Sequence, residues 1–501
     1  MPAREAAKML SREFAGSTLS RRCWRGDDRA WIEVRGLDGP GGAELATTVM
    51  STARALPGVK SARLNHPLSR LVVDIDGDTE GATSLRDLCR VVTDAEDQCR
   101  PAVSAVNGHR RARAGRSASL PGDGLAVALR MATVGANAAG LGAAVVGRIL
   151  RLPRLPLGIE AAVVAVDYQP RLRRVLEDRI GTSATNTALT LAHAAVHTLS
   201  LAPASLAVDL MVEALKAGED RAEARAWRLR EPELAGFADH PADYRHVHPP
   251  TRPAPRPAGP VERHTNHSAW LQAIGATVVG AATRSMDMAG TAAVVTMPKA
   301  ARTARESFAA TLGRGLADQH GVLALQPASL RQLDRIDTVI IDPRVLCSDT
   351  LRVVHVRGVD DDELAEVWDR AQARLGADDL LPGWHPVAGS GPGTPEASFQ
   401  LAPKPLAAAV VTEARHADVE VLSIDVDALG ELRPLFDEVC PLDGASLDDA
   451  LAAAVAACQR DGHDVAVLSA TGLKALSAAD VALGIMPGEG SPPWCADLLL
   501  A

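Results

Sequence analysis

Asp342 closes a short apolar run, Thr338-Val-Ile-Ile-Asp342. A β-branched segment of this kind reads as a buried strand with the acid at its carboxyl end. Two later strand patterns end in comparable groups. Val419 to Ile424 leads through Ser423 to Asp425, and Asp464 to Leu468 leads into Ser469-Ala470-Thr471. In an open α/β sheet, sites form at the carboxyl ends of the strands. An acid, a hydroxyl and a third strand end at that edge are the frame of a phosphoaspartyl site. There the carboxylate attacks a phosphoryl group while Mg²⁺ and a Lys neutralise its oxygens. The structural alternative is that Asp342 ends a strand and caps the next turn, with Arg344 as an ion-pair partner.

The elements that must position these groups form an alternating pattern. Leu351 to Val356 reads as a strand, Asp360 to Gly376 as a charged helix, and Pro382 to Pro395 as a Gly/Pro-rich loop. Pro405 to Arg415 and Ser446 to Asp461 read as helices between the strands. Apolar strands alternating with helices argue for a parallel sheet covered on both faces.

A different pattern occupies the amino-terminal part. Residues 1–28 form an Ala/Ser/Arg-rich tail without the apolar core of a secretory signal. Strands at Trp31–Arg35, Val59–Leu64 and Arg70–Ile75 and helices at Ala43–Leu56 and Thr83–Cys99 follow. Strand–helix–strand–strand–helix is a ferredoxin-like order. Uncharged stretches then run over Met131–Gly147, Ile180–Val208, Ser268–Thr283 and Met288–Pro298. Some approach the roughly 20 residues a bilayer span needs, but they are rich in Ala, Gly, Thr and His. Between them, His248 to Pro260 is a Pro-rich, extended linker, with His240, His246, His248, His264 and His267 around it. No Cys accompanies these His, so the linker reads as solvated and no metal site is predicted.

Composition narrows the classes. The chain has 501 residues, 47% of them apolar but only 3% aromatic, which implies three or four domains with Ala-rich interiors. A net charge of -9 argues against nucleic acid as a partner. Only six of the 53 basic residues are Lys, a skew that fits codon bias in a GC-rich genome. The seven Cys contain no C-x-x-C pair, which disfavours zinc-ribbon, disulfide-scaffold and redox-motif readings.

The run from Gly313 to Asp342 resembles the segment leading into the D-K-T-G-T motif of the P-type cation-transporting ATPases, members of the haloacid dehalogenase superfamily. Further landmarks follow in order. Val421-Leu-Ser-Ile-Asp425 resembles M-L-T-G-D, and Cys440-Pro-Leu-Asp-Gly444 resembles x-P-x-x-K. Asp464 to Met486 resembles V-A-M-V-G-D-G-x-N-D…A-D-V-G-I-A-M, and Ala496 to Leu500 resembles A-D-I-V-L. Within the family the chain looks most similar to the large actinobacterial pumps of the cation-transporting ATPase I type. The resemblance puts Asp342 at the phospho-acceptor position, Ser423 and Asp425 in the second landmark, and Lys404 at a nucleotide position.

The departures fall on catalytic residues. Pro343-Arg344-Val345-Leu346 replaces Lys-Thr-Gly-Thr, Gly444 stands at the Lys, and Ser469 to Ala478 holds no Asp or Asn. No Thr-Gly-Glu motif of an actuator domain is present, and Gly36 to Gly42 stands where a metal carrier has Met-x-Cys-x-x-Cys. Losing one electrostatic donor in such a site typically costs about 100–1000-fold in rate.

The expected fold is therefore α/β. A ferredoxin-like, heavy-metal-associated-like α+β domain over 29–105 precedes Ala-rich, membrane-type helices over 120–235 and 269–320, which flank a linker at 236–268. A Rossmann-like domain of haloacid-dehalogenase type spans 321–357 and 404–501, with a rudimentary nucleotide-domain insertion at 358–403. The resemblance implies a P-type ATPase-like protein of the cell membrane, catalytically degenerate or a fragment of a longer pump beside a second polypeptide. The alternatives are an active cation transporter phosphorylated on Asp342 and a soluble phosphate-binding module. ATP and Mg²⁺ are its cofactors only where activity survives.

Overall fold

A computed structural model describes residues 21–37, 41–76, 83–99, 124–155, 182–237, 250–284, 299–375, 380–387, 394–487 and 490–500, with isolated positions between 159 and 176 and Met288. The chain is mixed α/β and divides into two units, one of residues 1–245, 258–334 and 501, the other of residues 246–257 and 335–500.

The first unit opens with strands β1 (Cys23–Arg25), β2 (Arg29–Glu33), β3 (Val59–Asn65) and β4 (Arg70–Ile75) and helices α1 (Gly42–Arg54) and α2 (Leu85–Gln98). The four strands form an antiparallel sheet in the order β1-β2-β4-β3. Leu71, Val73 and Ile75 point together into the core with Ile32, Leu45, Val49, Leu88 and Val92, as strand alternation requires. Residues 23–25, which the sequence places in a tail, form an edge strand instead, because Cys23 and Trp24 are buried. Residues 1–20 lie outside the described residues. Gly42 opens α1 where a Cβ would stand 1.9 Å from the Leu37 carbonyl oxygen, so no other residue fits that turn. Ser84 and Asp87 close a reciprocal capping box on α2.

Helices α3 (Gly124–Ile149), α4 (Thr182–Leu199), α5 (Pro203–Gly236), α6 (Pro260–Thr283) and α7 (Lys299–His320) complete this unit. Among the described residues one stretch, Val127–Ile149, is long and apolar enough to cross a membrane. Helix α5 extends well beyond the uncharged stretch that ends at Val208, and the extension is heavily charged. Most of the stretch Met288–Pro298 lies outside the described residues. Helix α5 meets the sheet through Trp227, whose ring stands edge-on 5.3 Å from Trp31 and 6.3 Å from Trp24. Glu231, one turn on, accepts from Trp31 Nε1 at 2.6 Å and pairs with Arg29 at 3.1 Å.

An ion network ties α3, α5 and α7 together. Arg130 reaches Asp220 at 3.0 Å and Glu213 at 3.2 Å, and Lys216 reaches Glu306 at 3.4 Å. Arg331 grips both oxygens of Glu219, at 2.7 and 2.5 Å. Glu223 lies one turn beyond Glu219, is only 3% exposed, and its Oε1 has no hydrogen-bond partner. Burial, reinforced by the charges of Glu219 and Asp220, pushes its carboxyl well above the usual range. A raised folded-state pKa stabilises while the acid is neutral and loses that contribution as pH rises through it. As pH rises above about 5 the wild-type melting temperature of this unit is expected to fall more steeply than that of Glu223→Gln, which cannot ionise at this position; parallel curves would contradict the assignment.

In the second unit, β5 (Thr338–Ile341) is followed by the one-turn helix α8 (Pro343–Leu346). An insertion contains β6 (Cys347–Arg357), α9 (Leu364–Ala373), β7 (Gly383–Pro386) and β8 (Glu396–Pro403). These three strands form an antiparallel sheet in the order β6-β8-β7, with Phe399 and Val353 in its core. Part of the loop read as Gly/Pro-rich is thus strand β7. Then follow α10 (Ala407–His416), β9 (Glu420–Ile424), β10 (Glu438–Cys440), α11 (Leu447–Arg460), β11 (Val465–Ser469), α12 (Leu473–Ala478), β12 (Val481–Ile485) and β13 (Leu498–Leu500).

Strands β10, β9, β5, β11, β12 and β13, in that order, form one parallel sheet. Alternation along β5 sends Ile340 to the face covered by α11 and α12, and Ile341 to the face covered by α10. The amino ends of three strands carry Asp337, Asp464 and Asp480. Buried Asp464 accepts from Arg256 at 2.8 Å, Arg335 at 3.2 Å and Arg252 at 3.3 Å, and Arg252 also reaches Asp480 at 3.2 Å. The Pro-rich stretch, read as solvated, is therefore held to the sheet at Arg252 and Arg256. His264 and His267 are exposed on α6, and His240, His246 and His248 lie outside the described residues. Among the described residues no group of three His, Cys, Asp or Glu is placed to hold a metal ion.

Candidate functional site at the carboxyl edge of the sheet

Asp342 stands between the sheet and α8, and its side chain is 0% exposed. Its backbone N–H donates to Leu468 O on β11 at 3.0 Å, which holds the two strand ends together. The carboxylate caps α8 by accepting from the backbone N–H of Arg344 at 3.0 Å. Pro343 occupies the first helical position, where a missing N–H costs nothing.

Both carboxylate oxygens of Asp342 are occupied by donors. Arg344 Nε lies 3.0 Å from Oδ1 and 3.1 Å from Oδ2, and its Nη2 lies 2.8 Å from Oδ2. Ser469 Oγ donates to Oδ2 at 2.6 Å. That hydroxyl in turn accepts from the N–H groups of Gly472 at 2.8 Å and Thr471 at 3.3 Å, so its proton is committed to Asp342. Gly472 sits so close that a Cβ there would stand 2.8 Å from Ser469 Oγ and 3.4 Å from Arg344 Nη2. Arg344 continues to Asp448, in the first turn of α11, at 2.6 Å. Burial alone would lower the pKa of Arg344, but the hydrogen bonds and charge of Asp342 outweigh it and raise it.

Ser423 is buried on β9 and donates to the carbonyl of Ile341, the residue before Asp342, at 2.7 Å. Asp425 turns outward, half-exposed, and pairs with Arg433 at 2.5 Å. Lys404 is exposed beyond β8, tied through its backbone N–H to Leu346 O at 2.8 Å. Among the contacts of the described residues, neither the Asp425 nor the Lys404 side chain touches Asp342. The Arg344–Asp342 pair weighed from the sequence is present. The contacts of Ser469 and Asp448 were not read from it, although a hydroxyl ending an apolar strand with Gly three residues on was their signal.

This donor set does not fit Mg²⁺ and a phosphoryl group. The positive charge that a divalent cation would share with Asp342 is supplied by the Arg344 guanidinium, and the turn before α12 has no second carboxylate. What the arrangement does chemically is fix a buried charge and weld β5, α8, α11 and β11 together.

The edge thus has the frame of an α/β protein with an acid at its central strand end. No protein-family model matches the chain. It is 32% identical to the probable cation-transporting ATPase I of Mycobacterium leprae over 366 residues, 65% of this chain and 22% of that protein. It is 31% identical to the protein so named of Mycobacterium tuberculosis over 390 residues, 69% of this chain and 23% of that protein. The chain is thus a sequence relative of the P-type cation-transporting ATPases, as its ordered motifs implied. It spans less than a quarter of the length of the curated relatives it matches. Among solved structures, a zinc-transporting PIB-type ATPase in the E2P state gives a TM-score of 0.33 at 14% identity, over 56% of each chain. The catalytic domain of the CPx-ATPase CopB-B gives 0.25 at 16% identity, over 36% of this chain and 90% of that one. At these scores neither likeness carries an argument.

A double-mutant cycle tests the clamp. Arg344→Met strands a buried carboxylate and is expected to destabilise the second unit by about 3 kcal/mol, the low end for a broken buried pair because Arg344 is partly exposed. Adding Asp342→Asn should recover much of that loss in urea unfolding, whereas additive losses would show that the two side chains are not coupled.

Proposed function

We propose that this chain is a P-type cation-transporting ATPase-like membrane protein whose phosphorylation site is catalytically silent and serves as scaffold. The observation that carries the reading is the occupancy of both Asp342 oxygens by Arg344 and Ser469 in a fully buried position. A nucleophile must present a lone pair to phosphorus with the transferred oxygens neutralised. Here every lone pair facing the protein is engaged, and the neutralising Lys and Mg²⁺ carboxylate of the family pattern are replaced by Gly444 and by the acid-free turn after Ser469.

On the same reading, the βαββα part of the first unit is a ferredoxin-like domain without a soft-metal motif, and the parallel sheet is a haloacid-dehalogenase-type domain with a reduced nucleotide insertion. Exposed Val145, Val146 and Ile149 on α3 support a membrane location, since apolar side chains of that size find a low-cost environment in lipid. A second polypeptide with an intact phosphorylation motif is the partner such a scaffold implies.

Incubation with labelled ATP and Mg²⁺ followed by an acid quench tests the silent site. The expected result is no labelled protein band above the Asp342→Asn background. A hydroxylamine-sensitive band that disappears in Asp342→Asn would establish an active pump domain instead.

A further inference from the structure

The seven Cys are spaced in the sequence so that no two form a thiol motif, yet the fold brings two of them together. Cys23 on β1 and Cys89 on α2 lie 66 residues apart, and their Sγ atoms are 3.3 Å from each other. Both are reduced and buried in the core between the sheet and its two helices. The buried guanidinium of Arg21 lies beside them, held by both oxygens of Glu96 at 2.7 Å and by Thr93 at 3.0 Å.

The hydrogen bond from Cys23, assisted by the charge of Arg21, holds the Cys89 thiol below its ordinary pKa despite burial. Three other thiols move the opposite way: partial desolvation pushes buried Cys347 and half-buried Cys440 up, and half-buried Cys458 up to about 11. Since the thiolate is the reactive species, Cys89 is the thiol set apart by its surroundings. A disulfide requires sulfurs roughly 2.05 Å apart, so the pair must close by little more than 1 Å. Strand β1 is three residues long and lies at the sheet edge, paired with β2 alone, so few ladder hydrogen bonds oppose the small shift that closes the pair.

We propose that Cys23 and Cys89 form a redox-active dithiol that hydrogen peroxide converts to a disulfide, locking the edge strand to α2. The Cys89 thiolate attacks one peroxide oxygen; the S–O bond forms, the O–O bond breaks, and the departing oxygen leaves as water after taking a proton. The Cys23 sulfur then attacks the Cys89 sulfenic sulfur, the S–S bond forms, and the hydroxyl leaves as a second water with the Cys23 proton. Two thiols give up two electrons, and the peroxide takes them. The inference is independent of the reading of Asp342.

Treating the full chain with a small excess of hydrogen peroxide and mapping peptides without reduction tests it. The expected product is a Cys23–Cys89 linked peptide with a mass loss of about 2 Da, reversed by dithiothreitol. Cys23→Ser, verified as folded by circular dichroism, should stop at a dimedone-reactive sulfenic acid on Cys89. Should that variant not fold, the wild-type peptide map alone decides. Absence of the linked peptide, or oxidation falling equally on Cys347, Cys440 and Cys458, would overturn the proposal.

Discussion

A carboxylate with no access to water must have its charge met by the protein, and in the second unit that requirement falls on Asp342. Arg344 and Ser469 meet it together. Their geometry propagates outward: Ser469 needs two N–H groups from the following turn, that turn needs Gly472, and Arg344 needs Asp448 on α11. The ends of two neighbouring strands and two helices are therefore placed by one charge. The oxygens of Asp342 that a phosphoryl group would need are the ones these contacts occupy, which is what the proposed silent site rests on.

The opposite edge of the sheet follows the same rule with the roles spread wider. Asp464 gathers Arg252, Arg256 and Arg335 at the amino ends of the strands. In the first unit Arg331 grips Glu219 and Arg21 grips Glu96. The preponderance of Arg over Lys, whatever its genomic origin, is put to structural use: a planar fork satisfies both oxygens of a carboxylate at once. Glu223 marks where this supply ends, and burial pushes the carboxyl there well above its ordinary range.

Much of this was legible in the sequence. The alternation of Leu71, Val73 and Ile75 and the continuous run before Asp342 produced the strands they predict, because burial on one face or both leaves a direct periodic signal. The strand ends carrying Asp342, Ser423 and Ser469 do converge on one edge. Strands β1, β10 and β13 were missed, since three residues are too few for a period; β7, β8 and β12 were also not read as strands, although Ala397, Phe399 and Leu401 alternate along β8. The Pro-rich stretch was misjudged because its arginines find Asp464 only in the folded unit. The approach of Cys23 to Cys89 and the proton of Ser469 on Asp342 are likewise products of tertiary packing, invisible to spacing. The uncharged stretch Ile180–Val208 shows the converse: it has the length of a span, yet it divides between α4 and the first turns of α5, whose charged continuation belongs to an ion network.

The central claim, that Asp342 is closed by its own neighbours, is most directly tested with a phosphoryl mimic. Fluorine NMR of the protein with beryllium fluoride and millimolar Mg²⁺ reports whether an aspartyl adduct forms. The account predicts only free fluoride and beryllofluoride resonances, unchanged in Asp342→Asn. A protein-bound resonance that vanishes in Asp342→Asn would contradict it.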